Sequence, residues 1–278
     1  MADKFAFRTR DIPREKLEES TESIGDHSTV LLYNSEPFAS GTFVKCGSRF
    51  GILTAYHAIE DFNFSPNSPE ELGIVITRDK GAPLIEMQYL TPHSVGVPSD
   101  NYGGPDMVFL EILDQNMLGW IKAYRSIGEI PFENGVSMMK KCSTNSDSLW
   151  AIAGLPQSMK QEEQQGGSFD ILIGLPLQAF FAGIEEEHEA DRFDYIELTA
   201  NYESRDPIPN SFAGVSGAGL WEIPMTITKA GLDTLKLGTP TLSGVQFRQT
   251  ALKDNSRRLR CHGHKSLNVL FTKVLKDG

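Results

Sequence analysis

The sequence has few cysteines, no excess of positive charge and no long apolar run. Its 278 residues include three cysteines, Cys46, Cys142 and Cys261, which cannot all pair with one another and whose spacing does not repeat. A disulfide framework is therefore not expected, and a reducing compartment, the cytoplasm, is favoured. The longest apolar run, residues 171–184, is interrupted by Gly, Pro and Gln and is shorter than the roughly 20 residues that cross a bilayer. Residues 1–10 lack the apolar core of a secretion signal, so no membrane association is predicted.

The charge balance argues against a nucleic acid as ligand. With 37 acidic residues against 26 Lys and Arg, the formal net charge of −11 repels a polyanion. The charge is unevenly distributed along the sequence. Residues 185–206 contain nine acidic and two basic residues, whereas residues 245–278 contain eight basic and two acidic residues. These two stretches either neutralise each other or form ordinary solvated surface.

No pattern for a nucleotide or metal cofactor is present. No phosphate-binding or dinucleotide fingerprint follows an apolar run. The donors of Cys261-His262-Gly263-His264 and the acids around His188 fit no common zinc spacing, so no metal and no cofactor are expected. A cysteine nucleophile would need its own glycine-rich turn, and Gly47 beside Cys46 does not supply one.

What the sequence does contain is two sets of short apolar runs separated by turn residues, a texture typical of a β-barrel or sandwich. The absence of alternating helices and strands argues against a parallel α/β sheet. The first set covers residues 29–33, 41–46, 50–55, 73–77, 85–90 and 107–113. The second set covers residues 149–153, 169–175, 178–184, 195–200, 219–223 and 242–248.

Helices are predicted at the two ends. Residues 13–22 are compatible with a short helix that begins at Pro13, and residues 266–275 place five apolar side chains at helical intervals. The predicted organisation is a leader segment 1–27, a first β module 28–115, a linker 116–138, a second β module 139–262 and a C-terminal helix 263–278.

Three short segments carry candidate chemistry. Ser216 lies among Gly214, Gly217 and Gly219, where backbone N–H groups can converge into an oxyanion hole, although an incidental serine in a glycine-rich hairpin fits equally well. His57 ends an apolar run, and by itself would more often be a core or surface residue. Asp106 begins another apolar run after Gly-Gly-Pro, where a desolvated carboxylate needs a donor such as an imidazole N–H, unless it is a simple turn residue.

Together and in this order, the three segments resemble those of the chymotrypsin-like (trypsin-like) serine peptidases, of the intracellular bacterial stand-alone type. The resemblance implies an all-β fold of two antiparallel six-stranded β-barrels with a short N-terminal helix and a C-terminal helix. It implies that Ser216 attacks the substrate carbonyl, His57 carries the proton and Asp106 orients the imidazole. The N–H groups of Gly214 and Ser216 would form the oxyanion hole. Residues 153–156 also resemble a Gly-aromatic-Pro turn of that family.

Some positions depart from the family pattern. Val215 stands where the secreted digestive members have an aspartate that pairs with a new N-terminus, so activation of that kind is not expected. Ala218 replaces a glycine and Tyr56 replaces a small residue, but neither change removes a catalytic atom.

The resemblance places the pocket floor at Asn210 and assigns a pocket wall and peptide-pairing strand to Ser243, Gly244 and Val245. A neutral Asn210 argues against a strict requirement for Lys or Arg. The expected function is a serine endopeptidase acting on a protein or peptide substrate, with a separately encoded activating or targeting protein as a further partner, for example in a bacterial stress or anti-phage defence pathway. The alternatives are a catalytically silent module that binds protein segments and a protease that is latent until a partner orders its oxyanion loop.

Overall fold

The computed structural model describes residues 12–76, 82–98, 103–139, 148–156, 161–165, 168–172, 177–181, 184–201, 211–226 and 234–277. Asn210 and Cys142 lie outside these ranges. The first element is helix α1 (Arg14–His27), which starts after Pro13 and runs five residues beyond the predicted end at residue 22. It continues because Ile24 is fully buried and because the Ser28 hydroxyl donates to the Ile24 carbonyl at 2.9 Å.

The first β module follows directly and is antiparallel along the order β5-β4-β1-β2-β3-β7-β6. Asn34 and Ser35, both at positive φ, form the two-residue turn between the first two strands, as expected for a hairpin turn that matches the strand twist. The strands are β1 (Ser28–Tyr33), β2 (Glu36–Cys46), β3 (Arg49–Thr54), β4 (Glu71–Ile74), β5 (Leu84–Glu86), β6 (Leu90–Ser94) and β7 (Val108–Ile112).

The linker carries structure that the sequence patterns did not indicate. Helix α2 (Gln115–Tyr124) is capped by the Asp114 carboxylate, which accepts from the backbone N–H groups of Asn116 and Met117. After it, β8 (Gly128–Ile130) pairs in parallel with β2. A small hairpin of β9 (Phe132–Glu133) and β10 (Val136–Ser137) completes the linker.

The second β module has the order β14-β11-β17-β19-β20-β16-β15, with β18 added beside β17 and a separate hairpin formed by β12 and β13. Its strands are β11 (Ser148–Gly154), β12 (Gln161–Gln165), β13 (Ser168–Leu172), β14 (Leu177–Phe181), β15 (Glu186–Ala190), β16 (Phe193–Asn201), β17 (Gly219–Thr226), β18 (Lys236–Leu237), β19 (Thr241–Gln249) and β20 (Ser256–His262).

The predicted all-β architecture of two modules is confirmed, but each main sheet has eight described strands rather than six. The added strands are short ones such as β8 and β18, which are too brief to give an apolar pattern. The run predicted as one strand over residues 85–90 is divided, since a 3₁₀ turn, Met87–Tyr89, separates β5 from β6. Its buried Met87 donates its N–H to the Glu70 carbonyl at 3.0 Å, which fixes the corner.

Helix α3 (His264–Lys276) closes the fold against both modules. Its first turn is capped by buried Asp194, which accepts from the N–H groups of Lys265 and Ser266. Its apolar face packs into one cluster with Phe109 of the first module and Phe247 of the second. At roughly 1.5–3 kcal/mol for each fully buried large apolar side chain, this face contributes strongly to holding the modules together. The buried residues of that face are Leu267, Leu270, Phe271 and Val274. No described helix is long and apolar enough to cross a membrane.

Candidate active site

His57 and Asp106 meet at the open end of the first β module. His57 follows β3 in a one-turn 3₁₀ helix, Tyr56–Ala58, and its side chain is 40% exposed. Asp106 precedes β7 and is only 5% exposed. Because β3 and β7 pair at Thr54 and Val108, the two side chains come together. His57 Nδ1 lies 2.7 Å from Asp106 Oδ2, and the His57 backbone N–H donates to Asp106 Oδ1 at 2.8 Å.

This pairing sets the chemistry of the imidazole. A carboxylate at 2.7 Å keeps a proton on Nδ1, so the neutral ring presents Nε2 as an acceptor. The hydrogen bond to Asp106 raises the pKa of His57 above its usual value of 6.5, and the charges of Asp106 and Glu60 add to the rise, while burial opposes it. His57 is thus a partly exposed base that Asp106 holds in one tautomer.

The raised pKa predicts how reactivity depends on pH. A nucleophile that relies on His57 as base should lose reactivity as the pH falls through a pKa above 6.5, because the imidazolium cannot accept a proton. The contribution of the raised His57 pKa to the free energy of unfolding has the opposite pH dependence. It is present in full below pH 6.5 and is lost as the pH rises through the folded-state pKa. The rate of serine labelling and the free energy of unfolding, both measured from pH 5 to 9, check the two trends, and a rate independent of pH would contradict the assignment.

Ser216 lies in a double turn immediately before β17. The first turn is closed by the Val215 N–H and the Phe212 carbonyl at 3.0 Å, and the second by the Ala218 N–H and the Val215 carbonyl at 2.9 Å. The third residue of each turn is a glycine at positive φ, Gly214 at 88° and Gly217 at 92°. A positive φ at this position is the requirement of a type II turn and is readily met only by glycine.

Two backbone N–H groups of the turn have no acceptor among the described residues, those of Gly214 and Ser216. These are the two groups predicted to form an oxyanion hole. The remaining N–H groups of the turn all have acceptors, and those of Val215 and Ala218 are bonded within the turn. The Phe212 N–H donates to Gln249 Oε1, the Ala213 N–H to Ser211 Oγ and the Gly217 N–H to the Gln246 carbonyl.

The Ser216 turn is packed against the strand that carries His57. A Cβ added at Gly217 would lie 2.0 Å from Thr54 Oγ1, so only glycine fits there, and Thr54 is three residues before His57. The Ser216 carbonyl accepts from the Ser40 N–H at 2.9 Å. The Ser216 turn thus packs against the strand that leads to His57. Among the described side chains, however, no hydrogen bond joins Ser216 Oγ to the His57 ring.

One residue at this site was not recognised as functional in the sequence. His262 is fully buried, and its Nε2 accepts the backbone N–H of Asp106 at 2.9 Å. Its ring stacks on Phe247 at 4.5 Å and lies 5.0 Å from Tyr195, which itself packs against Gly104 just before Asp106. The second β module thereby holds the Asp106 segment of the first. The only sequence signal was the Cys261-to-His264 group, whose spacing fits no common zinc site.

Two antiparallel β modules thus meet at a site to which the first contributes His57 and Asp106 and the second the Ser216 turn. This architecture of two antiparallel β modules is the one expected for the chymotrypsin-like serine peptidases. No protein-family model matches the sequence, and no curated protein matches it.

Solved structures resemble the chain at low sequence identity. A mutant of Rv3671c from M. tuberculosis H37Rv, in an inactive form, matches 97% of this chain and 95% of its own at 12% identity and a TM-score of 0.48. The match to human heparin binding protein covers 93% of this chain and 92% of that protein's chain, at 10% identity and a TM-score of 0.49. A scabies mite inactivated protease paralogue, S-D1, matches 92% and 94% at 12% identity and a TM-score of 0.47. At these identities the likeness concerns the fold and not the activity.

The substrate-pairing strand expected at Ser243, Gly244 and Val245 stays a prediction. All three are buried in β19. Val245 is already paired with Gly219 on one side and His262 on the other, while Gly244 pairs with Leu220 and Ser243 Oγ donates to the Thr241 carbonyl. At Val245, a substrate strand would have to displace β17 or β20. Asn210, the predicted pocket floor, lies outside the described residues.

The remaining candidate groups are structural. Burial raises the pKa of the Cys46 thiol to about 11, which disfavours the reactive thiolate at neutral pH. The acidic and basic stretches of the sequence meet in ion pairs across β16 and β20, where buried Glu197 is held by Arg258 at 2.9 Å and by Arg260 at 2.7 Å. Glu197 lies near Glu186 and His188, but the two guanidinium groups already compensate its charge.

Proposed function

We propose that the protein is a serine endopeptidase that cleaves protein or peptide substrates through an acyl-enzyme, with His57, Asp106 and Ser216 as its catalytic residues. The observation that carries this proposal is that the N–H groups of Gly214 and Ser216 have no acceptor among the described residues, while His57 is held by Asp106 at 2.7 Å. A buried carboxylate, an imidazole held in one tautomer and two N–H donors in the turn that carries a serine hydroxyl are the groups that acyl transfer needs.

In the proposed mechanism, Ser216 Oγ forms a bond to the substrate carbonyl carbon while its proton passes to His57 Nε2. The Gly214 and Ser216 N–H groups bind the oxyanion of the tetrahedral intermediate. When the peptide bond breaks, the leaving amine takes the proton from His57. A water molecule then attacks the ester, again with His57 as base, and Ser216 is regenerated with its proton. Asp106 keeps the Nδ1 proton in place and stabilises the imidazolium throughout.

The proposal includes a closing movement. Because Ser216 Oγ and His57 are not hydrogen bonded in the described structure, a bound substrate would bring them within reach, as often happens when catalytic contacts tighten on binding. The rival function, a silent module that binds a segment by strand addition at residues 243–245, is not favoured because Val245 is paired on both sides.

Labelling with a fluorophosphonate tests the proposal. We expect the purified protein to acquire one label, which peptide mapping places on Ser216, since phosphonylation needs an activated serine and uses the oxyanion hole. His57→Ala should slow labelling by roughly 100-fold or more, because the general base is lost. A correctly folded protein that takes up no label, or takes it up on another serine, would contradict the proposal and favour the silent binding module.

A further inference from the structure

Ser40 is a buried residue of β2 whose polar atoms all bond to the second module or to the strand before His57. Its N–H donates to the Ser216 carbonyl at 2.9 Å, and its carbonyl accepts from Thr54 Oγ1 at 2.7 Å. Its hydroxyl donates to the Gly214 carbonyl at 2.8 Å and accepts from the Leu155 N–H at 3.1 Å. One side chain of the first module therefore bonds directly to the turn that carries the proposed oxyanion donors.

The bond from the hydroxyl fixes a particular peptide plane. The Gly214–Val215 peptide is held on one side by Ser40 Oγ at its carbonyl, and on the other side by the Phe212 carbonyl at its N–H. The available N–H groups of Gly214 and Ser216 lie on the peptide units before and after this plane, so their directions depend on it. Gly214 has no Cβ to restrict its φ and ψ, so the turn needs an external restraint to keep one orientation.

The segment around Gly154 and Leu155 determines how the Ser40 hydroxyl points. Because the oxygen accepts the Leu155 N–H, its own proton is directed to the Gly214 carbonyl. A Cβ added at Gly154 would lie 2.8 Å from Ser40 Oγ and 3.0 Å from Val215 Cγ1, so the glycine permits this close approach. This gives a role to residues 153–156, which were noted in the sequence only as a family-like turn.

We propose that Ser40 is a positioning residue that holds the Gly214–Ser216 donors in the orientation needed to bind an oxyanion, with Leu155 orienting its hydroxyl. This inference rests on the proposed peptidase function. Among the described residues, no hydrogen bond joins Ser40 to His57 or Asp106, so its removal should weaken transition-state binding and leave both substrate binding and the titration of His57 unchanged.

Saturation kinetics of fluorophosphonate labelling separate these effects. Ser40→Ala should lower the maximal labelling rate about tenfold or more. This is less than the rate loss of about 10²–10³-fold caused by removing an oxyanion donor, because the donors themselves remain. The half-saturating probe concentration and the pH at which the rate falls should not change. Ser40→Cys, which keeps the volume and a weak donor, should restore part of the rate. Ser28→Ala is the matched control, since Ser28 is also buried and its hydroxyl also donates to a carbonyl, that of Ile24.

Hydrogen exchange of peptides covering residues 211–218 supplies a readout that does not depend on catalysis. Exchange in this segment should be faster in Ser40→Ala than in the parent or Ser28→Ala, under conditions where all three are folded. If the parent is labelled and Ser40→Ala is labelled at the same maximal rate, the role of Ser40 is overturned. Exchange of residues 211–218 that is equally slow in Ser40→Ala and the parent would overturn it too. If the parent takes up no label but exchange is faster in Ser40→Ala than in the parent, the peptidase function is overturned. Ser40 would then still be the residue that restrains the turn.

Discussion

Replacing Ser216 with Ala is expected to lower peptide hydrolysis by about 10⁶-fold, the scale seen when a catalytic serine nucleophile is removed. The variant lacks only Oγ, so the Gly214 and Ser216 N–H groups and the His57–Asp106 pair remain in place. Because the half-buried hydroxyl makes no recorded hydrogen bond among the described residues, the free energy of unfolding should change by less than about 0.5 kcal/mol. The measurements are the turnover of the peptide that the parent cleaves fastest in a peptide library, and a urea unfolding curve.

Ser256→Ala is the control for this variant. Ser256 has similar partial burial in the same module, and its hydroxyl donates to the Lys253 carbonyl in a turn away from the site. Its hydrolysis rate should equal that of the parent. If Ser216→Ala kept more than a small fraction of parental activity, another residue would be the nucleophile and the assignment of Ser216 would be wrong.

The parts of the fold and site that could be predicted are those with a local sequence signal. The apolar runs predicted the two β modules, and the helical spacing of Leu267, Leu270, Phe271 and Val274 predicted the face by which α3 joins them. Asp106 was placed opposite His57 because a buried acid at the start of an apolar strand requires a donor, and the 2.7 Å contact agrees with that expectation.

The unpredicted parts depend on contacts between distant residues. The Ser40–Gly214 bond joins residues 174 apart, and the Asp106–His262 bond joins residues 156 apart, so neither leaves a local pattern. The pairing of β19 could not be predicted either, because its neighbours are set by its register with β17 and β20, and the β17 pairing contains an irregularity between Leu220 and Trp221. Helix α2 was missed because its exposed face carries apolar Trp120 and Tyr124, which obscures the helical pattern.

Replacing Asp106 with Asn is expected to lower hydrolysis by about 10⁴-fold, although the nucleophile, the base and the oxyanion donors all remain. The carboxamide can still accept the His57 backbone N–H through its oxygen, but its NH₂ group then faces Nδ1. That donor favours the tautomer with the proton on Nε2, which cannot accept the proton of Ser216. The variant also loses the main cause of the raised His57 pKa, so the residual activity should persist to lower pH than in the parent.

The shift in pH separates this effect from simple damage to the site. Asp61→Asn changes an exposed carboxylate shortly after the same 3₁₀ turn and should leave both the rate and the pH profile unchanged. A loosened fold would lower activity at every pH without moving the acidic limb, whereas loss of the Asp106 charge must move it to lower pH. Pre-steady-state rates from pH 5 to 9 for the parent and the two variants decide between these outcomes. An Asp106→Asn variant with an unmoved limb would mean that Asp106 does not control the ionisation of His57.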